Sequence, residues 1–187
     1  MPCHPPFDMG RAGPPPAGLD GIWRHWQALR RGRPVPARAD LDPAALRPWL
    51  PRSGIVARGA NGHLRFRLAG PALAALLGSA PRGLPFRALF APEARAALHG
   101  PLEAVFSVPC PVVLSALAPP ARDGDSAVAV DVILLPLSDP DGAVTRALVC
   151  LHRDAAPGRA MPCRLRPGAA RPVAPPAPPP LAGVAVR

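Results

Sequence analysis

One short segment of this sequence has the residue types and the spacing that anion chemistry requires. Arg38, Asp40 and Asp42 alternate, so that one guanidinium lies between carboxylates. A guanidinium in this setting either binds an external anion or forms a bidentate pair with a neighbouring carboxylate. Because the two acids are so close in the chain, we predict a structural ion pair of Arg38 with Asp40 or Asp42.

A second group of residues has the types that bind metals. Cys150 and His152 are two residues apart in a predicted strand, so their side chains share one face of it. A metal site needs further ligands, and the sequence places none nearby. We therefore predict no metal site, and the sequence identifies no cofactor.

The sequence contains no recognisable catalytic set. It lacks a Gly-x-Ser-x-Gly elbow, a phosphate-binding Gly loop and a His-Glu-x-x-His zinc motif. The only two glutamates, Glu93 and Glu103, are ten residues apart, which is too far for them to share a site along one helix. We predict that the protein is not an enzyme.

The composition limits the class of protein. Of 187 residues, 49% are hydrophobic, which is enough for one core, and the formal net charge is +10. All 22 basic residues are Arg, and Pro (31) and Gly (17) are abundant, as GC-rich codons alone would give. The basic residues form no dense patch, which argues against nucleic acid.

The sequence also predicts where the protein works. The four cysteines are widely spread, which suggests free thiols in a reducing compartment rather than a disulfide framework. There is no signal peptide and no apolar run of membrane-spanning length. We expect a cytoplasmic protein without a membrane partner.

The chain divides into three parts. Residues 1–19 are rich in Pro and Gly and are predicted to be a disordered arm. Residues 20–153 are predicted to form the folded domain. Residues 154–187 are rich in Pro and Arg and are predicted to be a second disordered tail.

The folded part begins with two predicted helices. Asp20 is a suitable N-cap for the first helix, Gly32 a suitable stop, and the residues between them form an apolar stripe that includes Trp23, Trp26 and Leu29. This helix must pack on the domain or pair two protomers. Asp42 and Pro43 predict the start of a second, short helix.

The pattern then changes to that of strands. We predict strands at about 54–58, 63–69, 112–117, 127–137 and 144–152, with helices over 72–77 and 92–106 between the second and third strands. Asn61-Gly62 marks the turn of a first hairpin. The alternation of its second strand places Leu64, Phe66 and Leu68 on one face.

This order, together with several short motifs, resembles a family of short, often stand-alone bacterial PAS-like domains. The similar motifs are Trp26-x-x-Leu29-Arg30, Pro36-x-Arg38-x-Asp40-Leu41-Asp42-Pro43, Leu50-Pro51, Arg67-Leu68-Ala69-Gly70 and Pro136-Leu137. They span roughly residues 20–153, and Pro71 departs from the family pattern. The resemblance implies an α+β fold: a five-stranded antiparallel sheet with crossover helices on one face, preceded by an N-terminal amphipathic helix.

The resemblance also implies a non-enzymatic sensory or regulatory role. In such a fold a small apolar ligand would lie between the sheet and the crossover helices, and the candidate lining residues are Leu68, Leu73, Leu76, Leu77, Phe86 and Phe90. Some PAS domains bind haem through a His on the equivalent helix, here His99, but no other haem-pocket residue is identifiable. No Cys lies between Cys3 and Cys110, which excludes the usual flavin photosensor.

Three functional hypotheses follow from this reasoning. The first is a sensor whose small ligand changes the packing of the domain. Its partner would be an unidentified protein, and two copies of the chain could also pair through the N-terminal helix. The second is an interaction scaffold without a ligand, whose core is filled by its own side chains. The third, less favoured, is a nucleic-acid-associated protein that uses the Arg-rich tail.

Overall fold

The computed structural model describes residues 13–120, 126–154 and 163–173. Three α-helices and six strands make up the fold. In chain order they are α1 (Ala17–Arg30), β1 (Ser53–Arg58), β2 (Leu64–Ala69), α2 (Pro71–Leu77), α3 (His99–Ser107), β3 (Val112–Ala118), β4 (Val128–Ser138), β5 (Val144–Arg153) and β6 (Arg166–Pro172). Among the described residues, no helix combines the length and the apolar character that crossing a membrane requires.

The six strands form one antiparallel sheet in the order β2-β1-β5-β4-β3-β6. The predicted fold class is confirmed, and all five predicted strands are present. The crossover from β2 to β3 carries α2 and α3. The sheet nevertheless has one strand more than the five that the resemblance implied.

The sixth strand corrects the prediction for the C-terminal segment. Residues 154–187 were expected to be disordered, but β6 pairs with β3, and Leu165 just before it is fully buried. Without β6, the outer backbone groups of β3 would have no partner, and an unpaired edge is costly when it is covered. The expectation of disorder for 1–12, 155–162 and 174–187 concerns positions outside the described residues.

Both faces of the sheet are covered, by different parts of the chain. The core on one face, which we call the crossover core, joins the sheet to α2, α3 and the residues between them, and includes Phe66, Phe86 and Phe90. The core on the other face, the α1 core, joins the sheet to α1 and to the segment that follows it, and includes Trp26. The central strand β4 is therefore buried over consecutive residues, as a strand covered on both faces should be.

Helix α1 begins three residues before the predicted N-cap. Pro16 occupies the cap position, and Leu19, which was assigned to the disordered arm, is fully buried. The helix lies over β4 and β5, where Trp26 Nε1 donates a hydrogen bond of 2.9 Å to the carbonyl oxygen of Pro136. Pro136 has no N–H for the β-ladder, and its buried carbonyl takes its partner from the helix.

Two predicted helices are shorter or less regular than expected, and proline explains both differences. Residues 43–49 form successive turns rather than a helix, because Pro48 lacks an N–H and disfavours helical geometry at Arg47. The predicted helix 92–106 is divided: a 3₁₀ turn covers Pro92–Ala94, and α3 begins at His99. Pro101 is tolerated because it lies in the first turn of α3, where its missing N–H has no partner to lose.

The outer edge of β2 is partly covered by a loop. The Phe66 N–H donates to the carbonyl oxygen of Leu84 at 2.9 Å, and the Gly83 N–H donates to the carbonyl oxygen of Phe66 at 2.8 Å. The Arg65 side chain adds a hydrogen bond to the carbonyl oxygen of Gly83. The loop 83–85 thus continues the hydrogen bonding of the sheet for a short distance beyond its first strand.

The hydrogen bond between Trp26 and Pro136 predicts unequal effects of two matched substitutions in α1. Trp26→Phe should lower the free energy of unfolding by about 1–2 kcal/mol more than Trp23→Phe does, because it leaves a buried carbonyl without a donor. Trp23 is the control, since its Nε1 is buried and makes no hydrogen bond with any described residue. Urea denaturation of both variants measures the difference, and equal losses would contradict the assigned role.

Candidate functional site

A β-bulge in the first hairpin moves one predicted pocket residue to the opposite face of the sheet. Ile55 pairs with Leu68, but the next residue, Val56, pairs with Phe66, so Arg67 is the extra residue on β2. A one-residue shift reverses the face of every side chain beyond it. Phe66 consequently points into the crossover core, whereas Leu68 lies on the α1 side and is 53% exposed.

The other five predicted lining residues lie together, but as members of the crossover core. Leu73, Leu76 and Leu77 of α2 are buried there with Phe86 and Phe90. The three phenylalanine rings form a chain with centroid distances of 5.9 Å (Phe66–Phe86) and 5.8 Å (Phe86–Phe90). These side chains fill the space in which we expected a ligand.

A cavity of about 520 Å³ lies on the other face, beside β1 and β2, and we call it the β1–β2 cleft. Its floor is formed by three residues that lie abreast on neighbouring strands: Leu68 on β2, Ile55 on β1 and Leu148 on β5. Sequence reasoning missed this cleft. The bulge at Arg67 turns Leu68 toward the cleft, and the regular alternation of the strand in sequence gives no sign of that bulge.

One wall of the cleft is formed by residues 38–51, which follow α1 in the chain and which we call the wall segment. Leu41 and Leu46 are buried members of the α1 core, whereas Leu50 is 41% exposed at the rim. The opposite end is closed by the turn from β2 into α2, where the Gly70 N–H donates to the carbonyl oxygen of Ser53 at 2.7 Å. Pro43, Pro51, Gly54, Ala69 and Pro71 complete the apolar lining.

The predicted ion pair of Arg38 with Asp40 or Asp42 does not form among the described residues, because Asp40 pairs with Arg33 instead. Asp40 pairs with Arg33 at 2.5 Å and also accepts a hydrogen bond from the Ala37 N–H at 2.7 Å. Asp42 accepts from the Ala44 N–H at 2.9 Å and so caps the turn that follows it. Arg38 makes no ion pair with any residue that the structure describes, and it lines the β1–β2 cleft.

Ser53 is the second polar residue in the lining. Among the described residues it is the only polar one that is buried, at 5% exposure. Its Oγ makes no hydrogen bond of good geometry within that part of the chain, although the Cys150 thiol lies opposite it in the register of β1 and β5. Burial raises the pKa of the Cys150 thiol, and the neighbouring Ser53 and Arg52 oppose that shift only in part.

The tryptophans of α1 pack on the sheet rather than standing free. Trp23 is 7% exposed and Trp26 is 1% exposed, while Leu29 is half-buried at the border of the α1 core. Packing within the domain therefore accounts for the apolar stripe. A homodimer through this helix stays a prediction, and it would have to use the exposed side of α1.

The residues considered for iron or metal binding do not converge. His99 is exposed, its Nδ1 lies 3.3 Å from Arg87 Nη2, and the adjacent hollow of about 10 Å³ is far too small for a porphyrin. His152 lies against Gly18 of α1 and contacts Asp154, whereas the Cys150 thiol is buried. Within the described ranges, no three His, Cys, Asp or Glu side chains are grouped to hold a metal ion.

Close backbone packing at the end of the cleft predicts the effect of a glycine substitution. A Cβ at Gly70 would overlap the carbonyl oxygens of Leu50 and Pro51, which are backbone atoms and cannot turn away. Gly70→Ala should therefore lower the free energy of unfolding by about 1–3 kcal/mol. The control is Gly100→Ala, where a Cβ meets open space. If thermal or urea denaturation showed the same decrease in the free energy of unfolding for both variants, this packing would be contradicted.

The two partners of Asp40 predict how stability depends on pH. The Ala37 N–H, and after it the Arg33 guanidinium, lower the pKa of Asp40 below its ordinary value of 3.8. A carboxyl group whose pKa is lower in the folded state stabilises the fold at pH values above its pKa in the unfolded state. This stabilisation is lost as the pH falls through the folded-state pKa.

Asp40→Asn should therefore reduce stability at pH 7, and the difference from the wild type should shrink below about pH 4. Urea denaturation at pH 7, 5 and 3 measures this difference. Arg33→Gln serves for comparison. It should remove only part of the pH dependence of the free energy of unfolding, because the hydrogen bond from the Ala37 N–H to Asp40 remains. A difference between Asp40→Asn and wild type that stays constant with pH would refute the assignment.

Comparison with known proteins agrees with the fold. No curated protein sequence matches this chain. A family model described as PAS domain matches residues 16–152, which include α1, the cleft wall, the crossover, strands β1 to β4 and all but the last residue of β5. PAS domains are generally sensory or regulatory modules. The match covers most of the sequence, and the chain therefore belongs to the PAS domain family.

Proposed function

We propose that this protein is a non-enzymatic, cytoplasmic regulatory module that takes a small ligand with an apolar body in the β1–β2 cleft. The observation that supports this function is the cleft itself. Its volume of about 520 Å³ lies within the range of about 300–1,000 Å³ that is typical of ligand sites, and its lining is mostly apolar with two polar residues.

The position of the cleft favours this site over the crossover side. On the crossover side, the side chains of α2 and the phenylalanine cluster occupy the interior and contact one another. A ligand there would have to displace close-packed side chains, at the cost of a repacked core. The β1–β2 cleft needs no such displacement.

The cleft wall offers a route from ligand to signal. Trp49, at the end of the wall segment, packs on α1: its Cζ2 lies 3.0 Å from where a Cβ on Gly21 would be, and its ring centroid is 5.9 Å from that of His25. A ligand that moves the wall must also move Trp49 against α1. The exposed side of α1, which includes Arg24, then becomes the surface that a partner protein reads.

A ligand-free interaction scaffold is the second candidate, and one observation favours it. Leu50 and Leu68 are 41% and 53% exposed at the rim of the cleft, which is unusual for large apolar side chains and typical of contact surfaces. In this case an apolar side chain of the partner protein would enter the cleft. The cleft would then act as a docking site rather than as a sensor.

Binding of an uncharged apolar probe tests the function of the cleft. We expect N-phenyl-1-naphthylamine to bind the full chain and to fluoresce. Leu68→Trp should weaken this binding by at least about tenfold, because the indole occupies cleft volume. Leu117→Trp is the matched control, since Leu117 is a half-exposed strand residue (47%) that does not line the cleft.

Native mass spectrometry of freshly purified protein separates the two candidates. A sensor should carry a bound mass that is absent from Leu68→Trp and present in Leu117→Trp. The scaffold predicts no bound mass. If neither the probe nor a bound mass depends on Leu68, the cleft is not the functional site.

A further inference from the structure

We propose that the ligand of the β1–β2 cleft is an amphipathic organic carboxylate, with Arg38 binding the carboxylate and the cleft enclosing an alkyl body. This inference rests on the proposed function and adds the chemical class of the ligand. Three features of the lining support it: one cation without an acidic partner among the described residues, one buried hydroxyl without a hydrogen bond of good geometry there, and walls that are otherwise apolar.

Arg38 is the cation. It is the only charged residue in the lining of the cleft, and it is half-buried. The acids next to it in sequence are already engaged, Asp40 by Arg33 and Ala37 and Asp42 by Ala44. A guanidinium that has no acidic partner in the described structure is complementary to a ligand carboxylate, which it can bind in a bidentate manner.

Ser53 supplies the hydroxyl. A buried hydroxyl without a hydrogen bond is costly, and Ser53 Oγ is the one hydroxyl among seven buried side-chain nitrogen and oxygen atoms that make no hydrogen bond of good geometry with the described residues. An oxygen atom of a ligand that reached Ser53 would give this hydroxyl a stronger acceptor than the Cys150 thiol that lies opposite it. Arg38 can only donate hydrogen bonds, and the Ser53 hydroxyl can donate one as well as accept, so together they favour a ligand head that accepts hydrogen bonds over a cationic or a purely hydrocarbon one.

The remaining lining specifies the body of the ligand. It consists of aliphatic side chains such as Ile55, Leu148 and Leu46, together with prolines and glycines, and it contains no aromatic ring. Aromatic ligands commonly stack on aromatic side chains, whereas an alkyl chain needs only apolar surface. The lining contains no acid either, which disfavours a cationic head group. The net charge of +10 further favours an anionic ligand over a cationic one.

Displacement of N-phenyl-1-naphthylamine from the full chain tests the head group. The competitors are decanoate, decanol and decyltrimethylammonium, which share the alkyl body and differ in charge. We expect decanoate to displace the probe at a concentration at least about tenfold lower than the other two, as a charge-assisted hydrogen bond predicts. This comparison uses the wild-type protein alone and does not depend on the folding of any variant.

Arg38→Gln then identifies the residue, and Arg47→Gln is its control. Arg47 is exposed on the same segment and does not line the cleft. Arg38→Gln should weaken decanoate binding by about tenfold or more and leave decanol unchanged, while Arg47→Gln should change neither. The carboxylate assignment would be overturned if decanoate and decanol displaced the probe from the wild type equally well. It would also be overturned if Arg38→Gln weakened the binding of decanoate and of decanol by the same factor.

The failure of this inference can be told apart from the failure of the proposed function. If the probe binds and Leu68→Trp blocks it, but decanoate has no advantage over decanol, the cleft function stands and the carboxylate assignment is wrong. If Leu68→Trp does not affect the probe, the cleft is not the site, and both proposals are overturned.

Discussion

The central strands of this sheet are apolar on both faces, and this constraint determines where the rest of the chain can go. Ile133, Leu134 and Leu135 of β4 are consecutive and fully buried, so neither face of the sheet can be left to water. The crossover helices cover one face. The other face is left to α1, which reaches β4 and β5 and is fixed there by the bond from Trp26 to the carbonyl of Pro136.

The β1–β2 cleft follows from the limited reach of that helix. Beyond β5, the α1 face of the sheet is covered by the wall segment, which is interrupted by prolines and cannot form a regular helix. A chain of turns covers a sheet less completely than a helix does. The space that remains is bounded by side chains of the core and is continuous with it, so a molecule bound there would in effect complete the α1 core.

Much of the fold could be predicted from the sequence, because its signals are local. The Asn61-Gly62 turn and the apolar stripe of α1 each depend on neighbouring residues, and the structure has both. The predictions that were wrong depend on distant or irregular features. Leu68 changes face because of a bulge whose partner is β1, and nothing in the pattern of β2 records it.

The site was also hard to predict, because its contacts join residues of different elements rather than immediate neighbours in sequence. Arg38 has two acids beside it in sequence, but Arg33 approaches from the end of α1 and takes one of them. Strand β6 shows the same dependence on distance: its sequence is poor in strand formers, and it pairs because β3 offers an unpaired edge.

The covered edges of the sheet have a consequence for recognition. The loop 83–85 occupies part of the outer edge of β2, and β6 occupies the far edge of β3, where the Gly13 N–H in turn donates to the carbonyl oxygen of Pro172. A partner that adds a strand to a sheet needs a row of free N–H and C=O groups. The loop 83–85 interrupts this row at Phe66, and Pro167 and Pro172 of β6, the edge strand at the other end, have no N–H, so the addition of a strand at either edge is disfavoured. These edges therefore favour binding through side chains and surface shape over the addition of a strand.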